Sequence, residues 1–252
     1  ASAPVLQGFL PHAYKYALAG AALPFTDSEG FVTPRGRMLL AASASGTFGY
    51  SYRFSGMPPY YAAPRPDNSA EHPFRAEVLD RLMADYASRG SFGGDTYWGG
   101  KGLTQTALNM TFARQSGNEA VYEESKRRLR TALADWLSYT PGEDTFFFSY
   151  YPRWGAMLGF DVSYDSDAFN DHHFHYGYFT YAAALLCMED AAFAAEYGEA
   201  LTLIAKDYAN WERTDTRFPF MRTIDPWCGH SWAGGLGDPG NDNGNGQESS
   251  SE

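Results

Sequence analysis

From residue 75 onward the apolar side chains recur at helical spacing, in one segment after another. The clearest case is residues 118–139, where Leu129, Ala132, Leu133, Trp136 and Leu137 fall at i, i+3, i+4, i+7 and i+8. That is the period of one buried face of an α-helix. Residues 75–90 and 101–115 read the same way, and Gly142 stops the third helix. Residues 144–162, "DTFFFSYYPRWGAMLGFDV", lack the period and read as a β excursion. Helix returns over residues 171–189 and 191–208. Helices joined by short connections fold back on one another, so this part of the chain is expected to be a series of helical hairpins. The fold class is therefore mainly α.

The first part of the chain has a different texture. Residues 1–74 are rich in Gly, Pro and Ser, with short apolar runs at residues 38–43 and 48–54. They read as strands and loops, a small α/β or β-rich region. Pro58, Pro59, Pro64, Pro66 and Pro73 then interrupt regular structure and mark a linker. The division expected is residues 1–74 and residues 75–252.

Charge narrows the partners. The chain carries 30 Asp and Glu against 19 Lys and Arg, which argues against a nucleic-acid phosphate backbone and gives no reason to expect an anionic membrane. No apolar run approaches a membrane span, and no charged-then-apolar leader opens the chain. Eighteen Tyr, 18 Phe and 6 Trp make up 17% of the residues. Much of that must be core, but the excess also suits a surface that stacks on sugar rings. Cys187 and Cys228 follow no metal or disulfide spacing, and whether they pair is left open.

Two stretches concentrate chemistry. In "NDHHFHYGYF", residues 170–179, Asp171 and His175 sit one turn apart if a helix opens there. The same face continues through Tyr178, Phe179, Ala182, Leu185 and Leu186, an apolar stripe that must point inward. Asp171 is then either an ordinary helix cap or a functional acid at the edge of the core. His172, His173 and His175 raise the question of a metal, but the spacing lacks the i, i+4 pair of an HExxH site, and packing and hydrogen bonding are the expected roles. In "NGQESSSE", residues 245–252, Glu248 and Glu252 would share one helix face, delivered by a Gly-rich loop that contains "GHSW". Paired carboxylates on separate elements are what glycoside hydrolysis needs, one to protonate the leaving oxygen and one to act on water or the anomeric carbon.

The strings "FNDHHFHYGYFTYAAA" (169–184), "FPFMRTIDPWCGHSWAGG" (218–235) and "NGQESSSE" (245–252) resemble glycoside hydrolase family 81, the endo-β-1,3-glucanases. "FLPHAYKYA", "FVTPRGRM", "YWGGKGL" and "RWGAML" are similar to weaker family blocks in the same order, so the resemblance runs from about residue 10 to the end. It implies an N-terminal β-sandwich, a small α/β domain and an (α/α)6 barrel with an open cleft. Residues 1–74 would correspond to the α/β part, and the later helices to the first part of the barrel. It also implies hydrolysis of internal β-1,3-glucosidic bonds with inversion, outside the cell, without metal or cofactor. Carried over by position, Asp171 matches the general acid and Glu248 the base that activates water. Glu252 and His175 match supporting residues, while Tyr176, His230 and Trp232 match blocks lining the cleft. The sequence departs from the family pattern near Tyr151, where an acidic residue is common.

The chain supplies fewer helices than a complete barrel, and no β-sandwich. The expectation is therefore a chain that by itself is weakly active or inactive and prone to association. A non-catalytic glucan-binding fragment is the rival reading, and a histidine-based metal hydrolase a third. The oligomeric state and the preferred natural glucan stay open.

Overall fold

The computed structural model describes residues 5–11, 14, 25–43, 59, 75–89, 92–225 and 230–231. They fall into two units, Ala1–Met57 and Pro58–Glu252. In the first unit β1 (Val5–Phe9), β2 (Phe25–Thr33) and β3 (Gly36–Ser43) form an antiparallel sheet in the order β1-β3-β2. The β2–β3 turn closes because Gly36 adopts φ 100 and the Thr33 hydroxyl donates to its carbonyl at 2.5 Å. Phe9 and Ala41 are buried in this unit, and the Phe25 ring meets Phe9 and Tyr14 edge-on. The run expected at residues 48–54 and nearly all of the Pro-rich linker lie outside the described residues.

The second unit opens with α1 (Ala76–Ser88), α2 (Thr96–Ser116) and α3 (Glu119–Trp136). Asp95 caps α2 by accepting from the Tyr97 and Trp98 amides at 2.8 and 2.7 Å, and Gly117 ends the helix at φ 79. Asn118 caps α3 through the Val121 amide at 3.3 Å. Both are ordinary side-chain caps of otherwise orphaned amides. Helix α2 starts five residues earlier than periodicity predicts (Thr96, not residue 101). Gly99, Gly100 and Gly102 dilute the helical signal, because glycine is a poor helix former. Tertiary packing explains their presence. A Cβ on Gly100 would come within 2.9 Å of the Tyr178 Cβ, so the glycine lets a later helix lie against α2.

That later helix is α4 (His172–Glu189), followed by α5 (Ala191–Ala209), which Asp190 caps through the Phe193 amide at 2.9 Å. Helix α2 packs against both α3 and α4, and α4 packs against α5. Leu129, Leu133 and Trp136 of α3 and Phe179, Ala182 and Leu186 of α4 are buried together with Leu103 and Met110 of α2. Each such apolar side chain contributes about 1.5–3 kcal/mol by leaving water. One polar tie crosses this interior: the Asn109 amide donates to the Met83 carbonyl at 3.1 Å and the Ser125 hydroxyl at 3.0 Å. The expected β excursion is a hairpin, β4 (Phe147–Tyr151) paired antiparallel with β5 (Ala156–Phe160). This unit is mainly α, with the successive helical hairpins of which an (α/α)6 barrel is built. Within the tail expected to be one long loop, β6 (Ile224–Asp225) pairs with β7 (His230–Ser231).

Candidate active site

Residues 161–171 lead from β5 to the head of α4, and their backbone is unusual. Tyr164, Asp165, Phe169 and Asp171 all have positive φ, between 51 and 66. Non-glycine residues adopt that conformation at a cost of about 1–3 kcal/mol each, and such strain gathers at functional sites. Asp171 is the residue before α4, at φ 55 and ψ 21, and its carboxylate accepts no hydrogen bond from the helix amides. Asp95, Asn118 and Asp190 all do cap their helices. Asp171 therefore does not serve as an ordinary side-chain cap of α4. Its Oδ2 instead accepts from the Asn170 amide at 2.9 Å, and that amide also donates to the Tyr164 carbonyl at 3.1 Å. Asp171 is half-buried, so its carboxyl group is neither freely solvated nor sealed away.

The three histidines diverge. The His175 Nδ1 lies 2.7 Å from the Thr96 hydroxyl of α2, whereas the His172 ring faces Asp207 of α5 and the Ser166 carbonyl. His172, His173 and His175 are all buried. Among the described residues no three His, Cys, Asp or Glu side chains are grouped to hold a metal ion. Tyr176 differs from expectation. Read as a cleft-lining residue, it is fully buried, donates to the Met157 carbonyl at 3.2 Å and accepts from the Gly159 amide at 3.1 Å. It braces the β5 strand against α4, because a tyrosine pointing inward must satisfy its hydroxyl there. His175 is also buried rather than open to a ligand, with its ring 5.4 Å from that of Tyr97.

Around the turn, aromatic rings take the exposed positions. Tyr97 packs edge-on against Trp98 and Tyr164, and Lys101 lies over both the Tyr97 and Trp98 rings. Trp154 stacks on Tyr151 at 5.3 Å and meets Phe169 edge-on. Trp98, Trp154 and Tyr164 are each more than half exposed. Arg222 reaches the Gly155 carbonyl and sits over the Phe169 ring at 5.5 Å, bracing the strained turn from β6's side of the chain.

Burial, and secondarily the charge on His172, lowers the pKa of His173 and of His175 from 6.5 to about 4. Between those values the unfolded chain takes up protons that the folded chain refuses. The stability these neutral rings confer is complete above about pH 6.5 and falls as the pH drops toward 4. The expected loss is on the order of 3 kcal/mol for each ring. Denaturant unfolding at pH 7 and pH 4.5 measures it, and equal stabilities at the two pH values would contradict it.

Glu248, Glu252 and Trp232 lie outside the described residues, and of His230 only the backbone pairing with Asp225 is described. Cys187 is a free thiol, while Cys228 lies outside the described residues. Sequence reading passed over Asp207, Thr96, Asn170, Arg222, Trp98 and Trp154. Asp207 had a signal: it follows Ile204 by three residues on the buried face of α5, where an unpaired acid would be costly.

Fold and site together define a helical-hairpin protein that presents a carboxylate from a strained helix start, after a turn that carries or contacts exposed aromatics. Residues 71–252 match the Glycosyl hydrolase family 81 C-terminal domain. The chain belongs to glycosyl hydrolase family 81. It is 39% identical over 235 residues to a glucan endo-1,3-beta-D-glucosidase of Acetivibrio thermocellus, covering 91% of this chain and 28% of that protein. A glucan endo-1,3-beta-D-glucosidase of Thermobifida fusca is 33% identical over 249 residues, covering 98% of this chain and 32% of the relative. A solved structure of a glycoside hydrolase family 81 protein from Clostridium thermocellum superposes with a TM-score of 0.65 at 33% identity, over 93% of this chain and 32% of the other. The chain thus spans roughly a third of the length of these relatives.

Proposed function

We propose that this chain carries the acid-bearing part of an endo-β-1,3-glucanase active site, with Asp171 as the proton donor to the departing glucosyl oxygen. The observation that carries the reading is the Asp171 carboxylate, withheld from capping by a left-handed backbone and half-buried at the head of α4. The names of the relatives support a β-1,3-glucan substrate. Trp98, Trp154 and Tyr164 offer apolar faces for its sugar rings. Glu248 is proposed as the base that activates water, with Glu252 supporting it; His230 and Trp232 are proposed to contact the glucan. A general acid paired with a water-activating base inverts the anomeric centre. A polymeric substrate fits action outside the cell, and no described helix is long and apolar enough to cross a membrane.

Reducing-end release from laminarin tests the reading, followed by NMR of the first-formed product. Release that a chelator leaves unchanged, with the α-anomer appearing first, is the expected outcome. A β-anomer appearing first would remove Glu248 as the base. Binding without release would favour a glucan-binding role. Chelator-sensitive release would favour a metal-dependent hydrolase.

A further inference from the structure

We propose that Asp207 and His172 are positioning residues for Asp171, a buried ion pair that fixes the turn from which the acid projects; this rests on the reading of Asp171 as proton donor. Both side chains are completely shielded from solvent, and Asp207 Oδ2 lies 2.5 Å from His172 Nδ1. The other Asp207 oxygen accepts from the Met157 amide of β5 at 2.8 Å. On the far side of the ring, His172 Nε2 lies 2.7 Å from the Ser166 carbonyl, in the 3-10 turn Ser166–Ala168. The Tyr176 hydroxyl is farther from Nε2, at 3.3 Å, and donates to the Met157 carbonyl.

An oxygen acceptor therefore faces each ring nitrogen. Satisfying both requires a proton on each, so His172 is an imidazolium whose charge the Asp207 carboxylate balances. Neutral His172 would set a nitrogen lone pair against the Ser166 carbonyl. His173 and His175 respond to that charge, which helps to keep both of them neutral. The pair joins three elements at one point: α5 through Asp207, β5 through the Met157 amide, and the turn through Ser166. Ser166 lies between Asp165 and Phe169, two of the positive-φ residues, and His172 directly follows Asp171. The ring thus clamps the turn on both sides of its strained segment. A buried ion pair is a poor source of stability compared with an apolar pair of the same volume. Its use here is to set geometry.

The test separates positioning of a proton donor from general support of the fold. Laminarin needs a proton on its departing oxygen, whereas a laminari-oligosaccharide β-fluoride loses fluoride without one. Asp207→Asn keeps an acceptor for the Met157 amide but removes the charge that holds His172 protonated. It should lower kcat on laminarin by about tenfold or more, the scale of a weakened general acid, with KM within about twofold and the fluoride rate within about threefold. Equal losses on both substrates would overturn the proposal in favour of a purely structural pair, and an unchanged laminarin rate would overturn it outright. Asp171→Asn is run alongside: if that variant still hydrolyses laminarin, the acid assignment itself has failed, whatever Asp207→Asn does. Nitrogen NMR of the unaltered chain gives a readout that does not depend on folding of a variant. Two protonated ring nitrogens on His172 at pH 7 support the pair, and a singly protonated ring overturns it.

Discussion

If Asp171 is the proton donor proposed above, replacing it with asparagine is expected to lower laminarin hydrolysis by a hundredfold to ten-thousandfold, the usual contribution of a positioned general acid. In barrier height that is roughly 2.7–5.5 kcal/mol. The fold should be undisturbed. Asparagine has the shape of aspartate and, like it, tolerates the left-handed backbone that residue 171 adopts at φ 55. The carboxylate makes no bond to the helix amides that asparagine would lose. Thermal melts of the variant and the parent should therefore coincide while reducing-end release collapses. Near-parental release from a well-folded variant would place the proton donor elsewhere.

Trp136→Ala is expected to have the largest effect on stability. Trp136 is 2% exposed, and its indole meets Phe146, Phe148 and Phe179 at centroid distances of 5.3, 5.7 and 4.8 Å. It is the point where α3, the β4–β5 hairpin and α4 converge, and the close approach of α2 brings Gly99 to it as well. Removing a buried indole loses its transfer free energy and leaves a cavity that packed helices cannot fully collapse, a cost of about 3–5 kcal/mol. Denaturant unfolding should show a lower midpoint at an unchanged slope. Trp98→Ala makes the contrast: with Trp98 54% exposed, the change in stability should stay within about 0.5 kcal/mol. A loss below about 1 kcal/mol at Trp136 would show that the hairpin and helices do not share one core.

The helices were largely legible because their information is local. The stripe through Leu129, Leu133 and Trp136 and the stripe through Phe179, Ala182 and Leu186 are both buried as their spacing demands. Residues 144–162 broke the period and contain the β4–β5 hairpin. The start of α2 was hidden, since three glycines weaken local helix preference there, and one of them, Gly100, serves an approach to α4 that no local window contains. Tyr176 was misread for a related reason. Its place in "NDHHFHYGYF" marks it as near the site, but whether a tyrosine faces in or out depends on what covers it. The Met157 carbonyl and the Gly159 amide claim its hydroxyl from another element.

The sequence by itself determined the periodicity and the concentration of acid, histidine and tyrosine at the head of α4. It could not choose between cap and acid for Asp171, because both uses need the same residue at the same helix position. The tertiary structure removed the cap: at φ 55 the Asp171 carboxylate makes no hydrogen bond to the helix amides. It also sorted the three histidines, giving His175 to Thr96, 79 residues away, and His172 to Asp207, 35 residues away. Helical and strand periods arise from contacts within a few residues, so they are written along the chain. Pairings of buried polar groups arise from the meeting of distant elements, where a missing partner carries its full desolvation cost, and only the packed fold specifies them.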